Sequence, residues 1–361
     1  MRLVMTLIAR DEADIVDSQV AFHLNAGVDH VVATDHASTD ATTEILRRYE
    51  RDGRLRLVRR EGDYHEAEWR TEMARVAATE LGADWVFASD ADEFWWPRGG
   101  SLPEVLAAIP SRYGIVRGFW RPFVPRPDDG AFFAERMTAR LSPTAPINDP
   151  LSQWRPNAKV LHRAIADVVV GRGNHSVEAD LVPLRGWFPV EVLHFPHRSR
   201  EQFERKASVW TATDTVRFHE AHRAAHDAVS SGRAAQSYEA LVFDDAVLER
   251  GLAAGSLVVD ERLRDVLREL AGGPVGAPAP SGPSPFRVAA EGERGLRFPI
   301  PDVVDDAGYA VDVATLGEAD LVRAQRRLDE LERRIADLER RPTARLGRLL
   351  GRTLGRGRGP G

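Results

Sequence analysis

The feature that most constrains the fold is an alternation of short apolar runs with amphipathic helices over residues 3–94. Residues 3–9, 31–34, 55–58 and 85–89 are apolar or β-branched runs of strand length. Between the first two, residues 11–26 place Val16, Val20 and Leu24 on one helical face, with Asp11, Glu12 and Asp14 suited to its first turn. A second helix carries Ile45, Leu46 and Tyr49. A third, residues 66–82, turns Trp69, Met73, Val76 and Leu81 inward. Such β-α-β-α-β-α-β order predicts a Rossmann-like, mostly parallel sheet with helices on both faces. Ligands bind such sheets beyond the carboxyl ends of the strands. There the chain places Arg10-Asp11-Glu12, Asp35 with Asp40, Arg60-Glu61, and Asp90-Asp92-Glu93.

Asp90 and Asp92 stand two apart at the end of an apolar run, so extended backbone points them to the same side. Two like charges held together are costly unless a cation offsets them. Hard oxygen donors without a thiol suit Mg²⁺ or Mn²⁺. The plain alternative is an acidic loop after a strand.

The 361 residues can form one large α/β domain with appendages, or two domains. With no cysteine there is no disulfide, thiolate metal site or cysteine nucleophile. No apolar run reaches the ~20 residues of a membrane span. The first residues enter a strand without the pattern of a signal peptide, so a cytoplasmic protein is expected. Lys159 and Lys206 are the only lysines among 49 basic residues.

After Phe94 the rhythm changes, with Trp95-Trp96-Pro97 and Gly99-Gly100 read as a break in the sheet. Further strands are expected near Ile115–Trp120, 159–163 and 190–194, and helices over 200–229 and 238–270. A Gly/Pro/Ala/Ser linker, 271–285, closes a domain of residues 1–270. Residues 286–317 show no clear core. Residues 318–341 carry Leu321, Leu328, Leu331, Ile335 and Leu338 at three- and four-residue steps, fitting a short coiled coil and a homo-oligomer, or a helix packed back on the domain. The tail, 342–361, is basic and glycine-rich. It reads as disordered, with peripheral contact to the inner face of a membrane as a possible role and nucleic acid disfavoured.

Three stretches together resemble family 2 glycosyltransferases of the GT-A fold. They are Ala9-Arg10-Asp11-Glu12, Thr34-Asp35 through Thr42, and Asp84 through Phe94 with its D-x-D-E-F metal motif. The resemblance implies inverting transfer from a nucleotide diphosphate sugar, UDP or GDP being common donors, to a glycan or lipid-linked acceptor, with Mn²⁺ or Mg²⁺ bridging the diphosphate. It implies donor contacts at Arg10, Glu12, Asp35, Asp40 and Asp90, and metal contacts at Asp92, Asp90 and a late histidine, His194 or else His197. Arg70, Arg75, Arg198 and Lys159 are phosphate candidates by charge. An inverting enzyme also needs a general base. The Glu-Asp pair common in this fold is missing, and His175, Glu191, Asp149 and Glu178 are the candidates. Trp95, Trp96, Phe119, Trp120, Phe123 and Trp154 are either core or sugar-stacking aromatics. The rival classes are a sugar-phosphate nucleotidyltransferase, against which the absence of a glycine-rich loop after the first strand counts, and a non-catalytic nucleotide-sugar-binding scaffold.

Overall fold

The structure is a computed structural model. It describes residues 1–142, 156–209, 220–276, 283–290, 293, 295–300 and 303–340. The elements run β1 (Leu3–Ala9), α1 (Val16–Asn25), β2 (His30–His36), α2 (Thr42–Arg51), β3 (Leu55–Arg60), α3 (Glu66–Thr79), β4 (Trp85–Asp90), β5 (Glu93–Pro97), α4 (Leu102–Ala107), β6 (Ile115–Pro122), α5 (Phe133–Arg136), β7 (Ala139–Leu141), β8 (Ala158–Arg163), β9 (Val169–Val170), β10 (Val177–Glu178), β11 (Val190–His194) and α6 (Arg200–Val209). Helices Glu220–Ser230, Ala234–Glu239 and Asp245–Ala253 follow, then β12 (Leu257–Val259) and helices Arg262–Ala271 and Val303–Arg340.

Eight strands form one mixed sheet in the order β3-β2-β1-β4-β8-β6-β11-β5. The pairs β1–β2, β2–β3 and β1–β4 are parallel, so the acidic ends of β1, β2 and β4 share one edge. β8 runs antiparallel between β4 and β6, and β11 is parallel to β6. Period-two alternation divides the core. Leu3, Met5 and Leu7 of β1 join α1 and α2 on one face, whereas Val4 and Ile8 join Trp69, Met73 and Ala77 of α3 on the other.

Four expectations change. The first helix begins at Val16 instead of residue 11, because Asp11 takes a left-handed backbone (φ 52°) and the acids after it bind elsewhere. Trp95-Trp96-Pro97, read as a break, belongs to strand β5, antiparallel to β11, with Trp95 and Trp96 buried in the core. Its neighbours cover it on both faces, so it lacks the alternation that marks a half-buried strand. Residues 286–298 were expected to have no clear core, yet Phe286, Leu296 and Phe298 are buried in the main one, and Phe298 bridges Gly100. The C-terminal helix begins at Val303, ahead of the expected residue 318, and its first part packs back on the domain. Its Tyr309, Val313 and Leu316 pack on Phe119 and Phe188, whereas Leu321, Leu328, Leu331, Ile335 and Leu338 stay exposed.

Candidate active site at the carboxyl edge of the sheet

The acids that follow β1 build the near wall. Asp11 Oδ1 accepts hydrogen bonds from the Thr39 backbone N–H (2.6 Å), the Thr39 hydroxyl (3.1 Å) and the Asp40 N–H (3.3 Å). Asp40 returns the tie, accepting from the N–H groups of Ala13 (3.0 Å) and Thr42 (2.9 Å). Asp35 is buried, takes the Thr43 hydroxyl at 2.5 Å and the Ser38 N–H at 3.1 Å, and faces Arg59 at 3.5 Å. Ala37 shares the left-handed backbone of Asp11 (φ 51°). Non-glycine residues rarely hold this conformation unless their surroundings enforce it. Arg10 is half-buried beside Asp11.

The centre is a buried ionic cluster. Asp90 at the end of β4 pairs with Arg70 of α3 through one oxygen and with the Lys159 ammonium of β8 at 3.0 Å through the other. Glu66 holds the same arginine at 3.0 Å, and Glu93 takes Lys159 at 2.7 Å. Asp92 Oδ2 accepts from Lys206 of α6 at 2.6 Å. Arg198 lies 3.9 Å from Asp92 and joins it to Glu12 and Asp14, the latter at 2.6 Å. Asp92 Oδ1 is buried without a hydrogen-bond partner among the described residues and faces His194 Nε2 at 3.5 Å. The His194 ring packs at 4.5 Å on Trp120.

These ion pairs link six carboxyl groups to four permanent cations. Burial raises Glu12 to about 7 against the pull of Arg198 and Lys206, and burial raises Glu93 against Lys159. At Asp90 burial acts upward too, but Lys159 and Arg70 prevail and hold it well below the usual carboxylate range. Asp92 is likewise held low against burial by Lys206, His194 and Arg198.

Among the described residues, no three His, Asp or Glu side chains converge as a preformed metal cage. The available protein donors for a divalent ion are Asp92 Oδ1 and His194 Nε2, an oxygen and an imidazole nitrogen facing each other. Asp90, expected beside them, has both oxygens committed to cations. Asp92 Oδ1, without a hydrogen-bond partner among the described residues, and His194 Nε2 at 3.5 Å form a donor pair that fits one added divalent cation.

The other candidates disperse. Glu191 projects from the opposite face of β11 to His194 and is locked by Arg121 (2.7 Å) and Arg262 (2.8 Å), away from Asp92. Arg75 is turned to the Val168 carbonyl at 3.1 Å. Glu178 lies in the β9–β10 hairpin. Asp149 and Trp154 lie outside the described residues. His197 is buried near Lys206 and His194, its pKa lowered to about 3 by burial and by those neighbours. His175 stays at the cluster. Its Nδ1 is 2.8 Å from the Ala158 carbonyl, next to Lys159, and its ring lies 6.5 Å from Trp120. Its turn is fixed by Asn174, whose amide donates to the carbonyls of Ala88 (2.7 Å) and Val160 (2.9 Å), and by the Gly173 N–H on Glu66 (2.7 Å). Of the aromatics, Trp95, Trp96, Phe119 and Phe123 are core, and Trp120 alone of the described ones meets the cluster. The sequence reading missed Lys206, Asp14 and Glu66. Lysine rarity was the available signal for Lys206, since both lysines of the chain end on this cluster.

Residues 7–121, about a third of the chain, match the sequence model of glycosyltransferase family 92. That match carries the glycosyltransferase class for this segment, and it does not carry the finer family 2 assignment. No curated protein matches the chain. Among solved structures, S. aureus TarS 1–349 in complex with UDP-GlcNAc is similar at 12% identity, with 90% of this chain and 92% of that one covered and a TM-score of 0.33. S. aureus TarS 1–349 alone gives 14% identity, 64% and 70% coverage and a TM-score of 0.30. Glucosyl-3-phosphoglycerate synthase from Mycobacterium tuberculosis gives 18% identity, 36% and 46% coverage and a TM-score of 0.24. At these TM-scores the likenesses assign no site and no ligand to this chain.

Proposed function

We propose that the chain is a glycosyltransferase that moves a sugar from a nucleotide diphosphate donor to an acceptor hydroxyl, with inversion at the anomeric carbon. The observation that carries this reading is the buried Asp90–Asp92 cluster at the carboxyl edge of parallel strands, inside the segment that matches a glycosyltransferase family. When the glycosidic bond to the donor breaks, negative charge grows on the leaving diphosphate, and fixed cations in a dry site stabilise it. Lys206 is half-exposed, so it can exchange Asp92 for a phosphate oxygen, whereas buried Arg70 and Lys159 are kept in place by Asp90. Mn²⁺ or Mg²⁺, when bound, would supply Lewis-acid stabilisation of the same leaving group. Asp92 and His194 are the residues that would hold it. Arg10, Glu12, Asp35 and Asp40 line the first two strand ends, where the nucleoside is expected. Trp120 offers an aromatic face to a sugar ring beside His194. His175 is the base candidate that stays near the cluster. Its Nδ1 is held by the Ala158 carbonyl at 2.8 Å, which leaves Nε2 as the nitrogen that would take the acceptor's proton.

The test is release of nucleotide diphosphate from a panel of UDP- and GDP-sugars with Mn²⁺, with and without candidate glycan or lipid-linked acceptors. Turnover that EDTA abolishes and that Asp92→Asn lacks is the expected result. Turnover undiminished in Asp92→Asn would overturn the role given to this cluster.

A further inference from the structure

The C-terminal helix Val303–Arg340 has two different faces. Up to Arg323 it is fastened to the sheet. The Tyr309 hydroxyl accepts the Phe188 N–H at 2.6 Å, Asp312 pairs with Arg121, Asp320 takes Arg117 at 2.8 Å, and Arg323 donates to the Pro156 carbonyl at 2.7 Å. Further along, Leu321, Leu328, Leu331, Ile335 and Leu338 are 72, 53, 38, 57 and 54% exposed. Large aliphatic residues left open in a row along one helix form an uncovered apolar stripe.

The stripe has a heptad register. Leu321, Leu328 and Ile335 recur every seven residues as one core position, a. Ala324, Leu331 and Leu338 recur as the other, d. The flanks then carry a charge code. Arg327 and Arg334 fall at g, and Gln325 and Glu332 fall at e, and in the sequence Glu339 is the next e position. In a parallel pair of helices each g residue meets the partner's e position five residues further on, so Arg327 meets Glu332 of the second copy. In an antiparallel pair g meets g and e meets e, which sets arginine against arginine and glutamate against glutamate. Arg327 contacts Glu330 in its own helix at 3.0 Å, an exposed pair worth little and readily exchanged.

We infer that residues 321–338 form a parallel, in-register two-stranded coiled coil with a second copy of this chain. Its role is to hold two sheet domains side by side, with both helices leaving their domains in the same direction. The inference rests on the stripe and its charges and is independent of the reaction proposed above.

The full chain should sediment at twice the 40.0 kDa of one copy. Leu328→Asp should return it to one copy with unchanged thermal melting of the sheet domain, since Leu328 is exposed and lies beyond the docked part of the helix. Orientation is read separately with Leu338→Cys. The chain has no other cysteine, so mild oxidation gives a single defined product. Parallel in-register helices bring the two copies of position 338 together and predict a cross-linked dimer on a non-reducing gel. A wild-type chain that stays single at all concentrations, a dimer that survives Leu328→Asp, or a dimer whose Leu338→Cys variant fails to cross-link would each overturn the inference.

Discussion

Arg121 is the sharpest place to test how the sheet is held behind the proposed site. It is buried between Glu191 of β11, at 2.7 Å, and Asp312 of the C-terminal helix. Glu191 keeps a second partner, Arg262 at 2.8 Å, which in turn holds Asp260 at 2.7 Å. Arg121→Met preserves length and apolar volume but strands the Asp312 carboxylate, one of whose oxygens already lacks a hydrogen-bond partner among the described residues. Removing one member of a buried pair costs about 3–5 kcal/mol. Because Glu191 retains Arg262, we expect the lower end, about 3 kcal/mol. The loss should appear first as undocking of the helix, which lets Asp312 reach water. At about 1.4 kcal/mol per decade, amide exchange protection over residues 308–323 should fall about 100-fold while β1 and β4 keep theirs. Native-state hydrogen exchange reads both regions together. Arg121→Met with Asp312→Leu should recover most of the loss, since an apolar pair can replace a buried ionic one. Unchanged protection in Arg121→Met would refute the assignment. The same network makes Glu191 structural, so Glu191→Gln should lower stability and leave glycosyl transfer intact. Lost transfer with an unchanged melt would return Glu191 to the role of base.

Three further outcomes are expected. Lys206→Met should lower turnover about 100-fold, the scale of one lost charge-stabilising donor, and should also lower stability, since buried Asp92 loses its nearest cation; equal turnover with wild type would remove Lys206 from the site. Asn174→Ala, which strips the buried carbonyls of Ala88 and Val160 of their donor, should cost about 2 kcal/mol in denaturant melts, and a cost near zero would contradict the turn's role. His23 is buried, with Nδ1 on the Gln19 carbonyl (2.8 Å) and Nε2 accepting the Trp95 N–H (3.0 Å), and burial lowers its pKa to about 3. Its folded pKa is below its unfolded one, so its contribution is full above pH ~6.5 and drains away as pH falls toward 3, at about 1.4 kcal/mol per pH unit. His23→Gln should therefore flatten the acid limb between pH 6.5 and 4, and an unaltered limb would contradict this.

The parallel strands and their shared acidic edge were legible because apolar period and strand ends are local properties of the sequence. What Asp11, Asp14 and Lys206 do was not. Asp11 reads as a helix N-terminal acid and instead ties the loop after β2, a contact made across 28 residues. Lys206 reaches Asp92 across 114 residues, a pairing that no local pattern encodes. Glu191 looks like a strand acid free to act as a base, and only the sheet order shows Arg121 and Arg262 beside it. The fully buried β5 has no alternation to read. Phe286 and Phe298 were assigned to a coreless segment because a proline- and glycine-rich stretch hides how far the chain after it folds back.

The central claim is that Asp92 and the cations around it serve a nucleotide diphosphate sugar. Isothermal titration of UDP- and GDP-sugars, with Mn²⁺ and then with EDTA, on the wild type and on Asp92→Asn tests it most directly. The wild type with Mn²⁺ should bind at least one donor, with binding weakened by EDTA and lost in Asp92→Asn. Equal binding by both proteins, or none by a folded wild type with any donor, would contradict it.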